Sequence, residues 1–299
     1  MTPIAFLLVL ISVFLHAGWN FLSKSKRPSA AFYMLASLTS AILWLPFFLL
    51  ADIRWGELAP RFWLLVSVSG FFEVLYFFGL YRAYRLSDIS LAYPVARALP
   101  VLLVALVAIV FGLGRTPGAL ALAGMTAVTA GCLLMPLTSL AEFRFATYRT
   151  PALRFIVLAA IGTTGYTVID SLAIPLIRSA GGGSGHLTVT GAYLFMVESL
   201  IAIGLAAIVR RDRDERAEFR RLFLRSGYPL LCGLFAGTAY ALILLAMPLV
   251  SNVAYIQAFR QMSLPLGVLA GVFLLKERCG RVKLTGLALV IAGLLLLSV

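Results

Sequence analysis

The sequence predicts an all-α integral membrane protein whose ten transmembrane helices form two inverted five-helix repeats. Three observations lead there. Hydrophobic residues make up 62% of the 299 positions and charged residues 12%, with a mean hydropathy of +1.00, whereas soluble domains carry roughly 25% charge. The apolar residues fall into ten segments near the length, about twenty residues, that a helix needs to span a bilayer with every backbone polar group satisfied internally. The last five segments repeat landmarks of the first five, in order, so that residues 1–140 and 150–299 read as two related units.

The first segment, 3–22, has no basic flank before it and no cleavage site after it, so it reads as a helix and not as a secretory signal. It carries His16, Gly18-Trp19 and Asn20, and a second apolar run follows at 30–50. The third, 62–84, holds Glu73 at its middle among Phe71, Phe72, Tyr76 and Phe77. The fourth, 90–111, contains Arg97 between Pro94 and Pro100, and the fifth, 118–137, contains the small-residue run GMTAVTAG at 124–131. The sixth, 154–177, carries Gly165-Tyr166 and Asp170, and GGGSGH at 181–186 separates it from the seventh, 188–209, with Glu198 mid-span. Residues 210–225 are rich in arginine with interspersed acids and read as a solvated loop touching anionic lipid. The eighth segment, 227–248, has Gly233 and Gly237 at the spacing that lets helices cross closely, a packing device inside the bundle. The ninth, 252–274, carries Gln257, Arg260, Pro265 and a second such pair, Gly267 and Gly271; the tenth, 282–298, contains GLALVIAG at 286–293. Pro94, Pro100, Pro248 and Pro265 free backbone carbonyls and are the expected hinges.

The repeat rests on paired landmarks: Gly18-Trp19 with Gly165-Tyr166, Gly70-Phe71-Phe72 with Gly233-Leu234-Phe235, Ser87-Asp88 with Ser251-Asn252, Pro100 with Pro265, and GMTAVTAG with GLALVIAG. An odd number of helices per unit puts the two halves in opposite orientations across the membrane, the design of many secondary transporters. Loops after odd-numbered segments hold nineteen of the 25 basic residues and those after even-numbered segments four, with Arg97 and Arg260 inside segments. The net charge of +13 is therefore a matter of topology and not of nucleic-acid binding, and it places both termini outside the cytoplasm of a bacterial-type inner membrane. Cys132, Cys232 and Cys279 show no disulfide or metal spacing and read as small buried hydrophobes, so neither a metal nor a cofactor is expected. No HExxH, GxSxG or phosphate-binding glycine loop points to an enzyme.

Three stretches carry a family resemblance: HAGWNFLSK at 16–24, the related pair SDISLAYPVARALP at 87–100 and SNVAYIQAFRQMSLP at 251–265, and LLKERCGRVKLTGLALVIAG at 274–293. On these the chain resembles the drug/metabolite transporter superfamily, in its ten-helix EamA-like branch, over nearly its whole length. Lys276-Glu277 stands where members of that branch usually show Gly-Glu. The resemblance implies a proton- or solute-coupled carrier of small metabolites, often amino acids, with a central cavity.

Ionisable groups deep inside apolar segments are costly, by several kcal/mol each on lenient scales of about 2.5–3.5 kcal/mol, and each one invites a functional reading. Glu73 is the deepest acid and a candidate for proton coupling; the alternative is a fixed ion pair with Arg97. Arg97 and Arg260, at repeat-related positions, suit an anionic group on a substrate. Glu198 and His16 are further proton-coupling candidates, while Asp170 reads as a structural partner. Trp19, Asn20, Tyr76, Tyr166 and Tyr240 complete the expected substrate site, and Gln257 is the glutamine expected to share a helix face with Arg260. The expected function is secondary active transport, with export the expected direction, of a small polar metabolite such as an amino acid, with protons as the candidate coupling ion. The expected partners are that solute and the lipid bilayer, with no nucleic acid, and the expected state is a monomer or weak dimer. A lipid-linked sugar or isoprenoid flippase and a multidrug exporter are the alternatives.

Overall fold

A computed structural model of the chain describes residues 2–24, 29–87, 89–137, 139–266, 268 and 280–298. Among them there is no strand. The helices are α1 (Pro3–Lys24), α2 (Ala30–Leu50), α3 (Pro60–Leu86), α4 (Ile89–Val110), α5 (Ala119–Leu134), a short α6 (Phe145–Tyr148), α7 (Leu153–Ser179), α8 (His186–Arg211), α9 (Arg213–Arg225), α10 (Tyr228–Ala246), α11 (Val253–Phe259) and α12 (Arg281–Ser298). Seven helices among the described residues are long and apolar enough to cross a membrane, and shorter apolar helices run over Pro94–Val110 and Ala119–Leu134. Leucine, isoleucine and phenylalanine side chains such as Leu7, Phe14, Leu49, Phe71, Leu106 and Ile203 point outward, as expected where the solvent is lipid.

Local chemistry sets the helix ends. Ser29 caps α2 by accepting from the Phe32 amide at 3.0 Å, Pro60 opens α3 at a position where its missing N–H costs nothing, and Asn252 caps α11 through the Ala254 amide at 2.8 Å. Outside the spans, Tyr148 donates its hydroxyl to the Leu133 carbonyl at 2.7 Å, pinning α6 to the end of α5, and burial pushes that phenol above its ordinary pKa.

Four helix pairs organise the bundle: α1 on α10, α3 on α7, α2 on α8, and α5 on α12, with α4 leaning on α11, α7 and α5. Exchanging each membrane helix with its counterpart five apolar segments later maps this set of pairs onto itself. The α5–α12 contact is the clearest case. A Cβ at Gly131 would lie 2.5 Å from the Gly286 carbonyl, and one at Gly293 would lie 2.6 Å from the Gly124 carbonyl. The two backbones touch where only glycine fits, and the two related runs meet head to tail. Gly233 and Gly237 pack on Ala36 and Ser40 of α2, so this pair serves packing within the chain.

Three expectations change. Residues 210–225 are not a loop: after α8 the chain turns at Asp212, which caps α9 by accepting from the Asp214 amide at 2.9 Å. Glu215, Phe219 and Leu222 recur at helical spacing and turn one face inward, while Phe223 and Leu224 stay exposed. The ninth segment is broken: α11 ends at Phe259, a 3-10 turn covers Arg260–Met262, and helix resumes at 263–266. Pro265, which has no N–H for the Gln261 carbonyl, is the local cause. Of the four proline hinges, Pro248 lies in the 3-10 turn after α10 and Pro265 behind this break, but α4 runs unbroken through Pro94 and Pro100. Asp88, Gly267, Gly271, Lys276, Glu277 and Cys279 lie outside the described residues.

Candidate solute site

Polar side chains from seven helices meet in the middle of the bundle. On α4, Arg97 donates from Nε to Gln261 Oε1 at 2.9 Å and from Nη2 to the Arg260 carbonyl at 2.8 Å. That carbonyl also accepts from Ser263 Oγ at 3.0 Å, so the backbone freed by the broken helix is taken up by side chains. A third Arg97 nitrogen, Nη1, meets His16 Nε2 from α1, and Trp19 Nε1 approaches His16 Nδ1 at 2.9 Å. A neutral imidazole has one lone pair, so it serves one of these donors at a time. Asn20 donates back to the His16 carbonyl at 2.6 Å.

Gln261, not Gln257, meets Arg97, because the tighter 3-10 turn shifts the phase of the residues after Phe259. Gln261 in turn donates to the Gln257 carbonyl at 3.0 Å, and Gln257 Oε1 is buried without a donor among the described residues.

Asp170 is completely buried and satisfied. Its Oδ1 accepts from Ser69 Oγ on α3 and from Tyr193 Oη on α8 at 2.6 Å, and its Oδ2 accepts from Tyr240 Oη on α10. One carboxylate thus ties four helices together. The Tyr240 hydroxyl is committed to it, but its ring is covered by the Arg260 guanidinium at 5.7 Å from the centroid. Tyr166 stands edge-on between Tyr240, at 5.5 Å, and Tyr76, at 5.9 Å. These three rings wall one side of the interior.

Among the described residues one charged group has no partner and a second has only part of its hydrogen-bonding capacity used. Among the described residues Glu73 is buried yet makes no ion pair and no hydrogen bond; the charged groups facing it are Asp170, Glu198 and Arg260. It is not paired with Arg97. Arg260 is buried and shares a side-chain hydrogen bond with Tyr166; among the described residues it has no ion pair and its Nη1 has no acceptor. A buried acid and a buried guanidinium nitrogen without partners are costly in an apolar interior. Among the described residues no cluster of histidine, cysteine or carboxylate side chains could hold a metal.

Glu198 sits apart, on the flank toward α2. It accepts from Ser40 Oγ at 2.9 Å and from the Ser37 hydroxyl. Ser69, Tyr193, Ser40 and Gln261 were not among the expected site residues. A helix-spaced polar pair, Gln257 and Gln261, was the one signal available for any of them.

A profile of the family described as "Sugar transport protein" matches residues 10–299. The chain belongs to that family. The family is one of membrane transporters, and with the apolar helices above it makes this a multi-pass membrane transporter. Among solved structures 27 chains match. One, described as "Crystal structure of protein", superposes with a TM-score of 0.64 over 98% of this chain and 97% of its own length at 15% identity. At that identity the likeness speaks to the fold alone. No curated protein matches the transporter's sequence.

Proposed function

We propose that the transporter is a secondary carrier of a small zwitterionic metabolite of the amino-acid type, working by alternating access between two inverted five-helix halves. The observation that carries this reading is that Glu73 and the Nη1 of Arg260, both buried, have no partner among the described residues. A solute carboxylate matches the Arg260 guanidinium, and a solute ammonium matches Glu73. Tyr76, Tyr166 and Tyr240 supply the apolar wall; Trp19, His16, Asn20, Arg97 and Gln257 hold the broken helix and the first helix around it. The exchange-symmetric helix pairing and the head-to-tail glycine contact between α5 and α12 support the inverted halves and, with the three motif stretches, a place in the EamA-like branch of the drug/metabolite transporters. The basic-residue count supports non-cytoplasmic termini in an inner membrane. Use of Gly233 and Gly237 within the chain favours a monomer. Glu73, with no fixed partner, is the proposed proton-coupling group.

A second reading is sugar transport, favoured by the family's description and by the buried Gln257 Oε1, which has no donor among the described residues and could take a sugar hydroxyl. One experiment separates the two. Proteoliposome uptake is measured for labelled amino acids, amines, pentoses and hexoses, with and without a pH gradient, for wild type, Glu73→Gln and Arg260→Gln. Amino-acid flux lost in both variants supports the zwitterion reading. Sugar flux that falls in Glu73→Gln and survives Arg260→Gln supports the second. Flux indifferent to both substitutions refutes the site.

A further inference from the structure

Helix α9 runs between α8 and α10 at the arginine-rich end of the bundle, and its residues sort into three sectors around its axis. Glu215 and Leu222 are buried against the bundle, where Glu215 is spent on Arg85 and on the Ala31 amide. At 3.6 residues per turn, Asp214, Glu218, Arg221 and Arg225 fall on one flank of that buried line. Acids and arginines alternate there, and Glu218 holds Arg221 through both carboxylate oxygens, at 2.8 and 2.5 Å. Such a flank suits water.

The other flank has no acid. Arg213, Arg216 and Arg220 share it with Phe219, Phe223 and Leu224, and Asp212, just before the helix, is spent on capping it. None of these three arginines makes an ion pair among the described residues; Arg216 donates to the neutral Arg210 carbonyl. Phe219 and Phe223 stack with their centroids 5.7 Å apart, so apolar surface runs outward from the buried sector. Phe223 is 65% exposed and Leu224 75%. Apolar rings and unpaired guanidinium groups on one flank call for a layer that offers hydrocarbon and anions together. The headgroup boundary of a bilayer is such a layer: acyl chains cover the rings, phosphates accept from the guanidinium groups in pairs, and the arginine stems lie along the apolar part with their heads raised. Exposed apolar residues continue along the chain into α10, at Leu230 and Leu231, on a helix that is itself long and apolar enough to cross the membrane.

We propose that α9 is a membrane-surface helix that binds anionic lipid. Phe223 and Leu224 sit among the acyl chains, Arg213, Arg216 and Arg220 hold lipid phosphates, and the Asp214 and Glu218 flank faces water. Three unpaired positive charges on one flank select an anionic leaflet over a zwitterionic one. The proposal rests on neither the zwitterion nor the sugar reading.

The test places a nitroxide on single cysteines of the full chain in nanodiscs, in a Cys279→Ser background in which Cys132 and Cys232 are buried. Labels at Leu224→Cys and Asp214→Cys are compared by their collisions with oxygen, which concentrates in lipid, and with a water-soluble nickel chelate. With phosphatidylglycerol mixed into phosphatidylcholine, the oxygen-to-nickel ratio at 224 is expected to exceed that at 214 by about fivefold or more. In phosphatidylcholine alone the ratio at 224 is expected to fall by about twofold or more. Arg216→Gln combined with Arg220→Gln is expected to abolish the difference between the two bilayers. The bilayer comparison is made on one labelled protein, so it stands whether or not the arginine variant folds. Equal ratios at 224 and 214 would overturn the proposal. So would a ratio at 224 that ignores phosphatidylglycerol, or a label at 224 shielded from both reagents, which is the sign of a second copy covering the flank.

Discussion

Replacing Glu215 by alanine removes the clamp between α9 and the ends of α2 and α3. The side chain is fully buried; Oε1 receives Arg85 Nη2 at 2.5 Å and Oε2 receives the Ala31 amide at 2.9 Å. Ala31 is in the first turn of α2, so Glu215 acts as a capping acid supplied from elsewhere in the chain. Loss of such a cap costs about 0.5–2 kcal/mol. The Arg85 side chain is 41% exposed, so solvent screens the ion pair, and it contributes about 1 kcal/mol at most. Glu215→Ala should therefore destabilise the fold by about 0.5–3 kcal/mol. Glu215→Gln, which keeps an acceptor for Ala31 and loses the charge, should cost about 1 kcal/mol less than alanine. The assay is reversible unfolding in mixed micelles for Glu215→Ala, Arg85→Ala and the double variant. A coupling of about 0.5–1 kcal/mol between the two sites is expected. A Glu215→Ala effect under about 0.5 kcal/mol, or strict additivity with Arg85→Ala, would refute the clamp.

Three more predictions come from the same contacts. Asp170→Ala leaves the hydroxyls of Ser69, Tyr193 and Tyr240 without their acceptor and should cost at least about 3 kcal/mol, at 1–3 kcal/mol for each buried orphan; an unfolding curve matching wild type contradicts the network. Gly131→Val places side-chain atoms against the Gly286 carbonyl and the Val290 amide, at 2.5 and 2.8 Å from the new Cβ. Backbone cannot yield there, and about 1–3 kcal/mol should be lost, while alanine at the open Gly183 should leave stability within about 0.5 kcal/mol of wild type. Pro265→Ala restores an N–H for the Gln261 carbonyl and should let the helix run on through Arg260–Met262. Slower amide exchange across 260–265 with reduced transport is the expected outcome, and unchanged exchange would show that side chains alone impose the break.

The apolar segments were legible because a bilayer imposes their length on the sequence directly. Segment 154–177 became Leu153–Ser179 and segment 30–50 became Ala30–Leu50. The helix α9 was not legible because its many charged residues mask the inward spacing of Glu215, Phe219 and Leu222, and the break in the ninth segment begins a full turn before the hinge expected at Pro265. Buried charges were legible as candidates for the same reason that the segments were: a charged residue inside an apolar run is costly wherever the run folds. The sequence by itself determined that this protein lives in a membrane, roughly where its helices lie, and which ionisable groups are drawn into its interior. Only the tertiary structure decided that Asp170 is satisfied, that Arg97 braces a broken helix, and that Glu73 and the Arg260 Nη1 have no partner among the described residues. The physical reason is distance along the chain: Ser69 reaches Asp170 across 101 residues, Arg85 reaches Glu215 across 130 and Ser40 reaches Glu198 across 158. A hydrogen bond is made or missed by the packing of whole helices, and no local pattern records which.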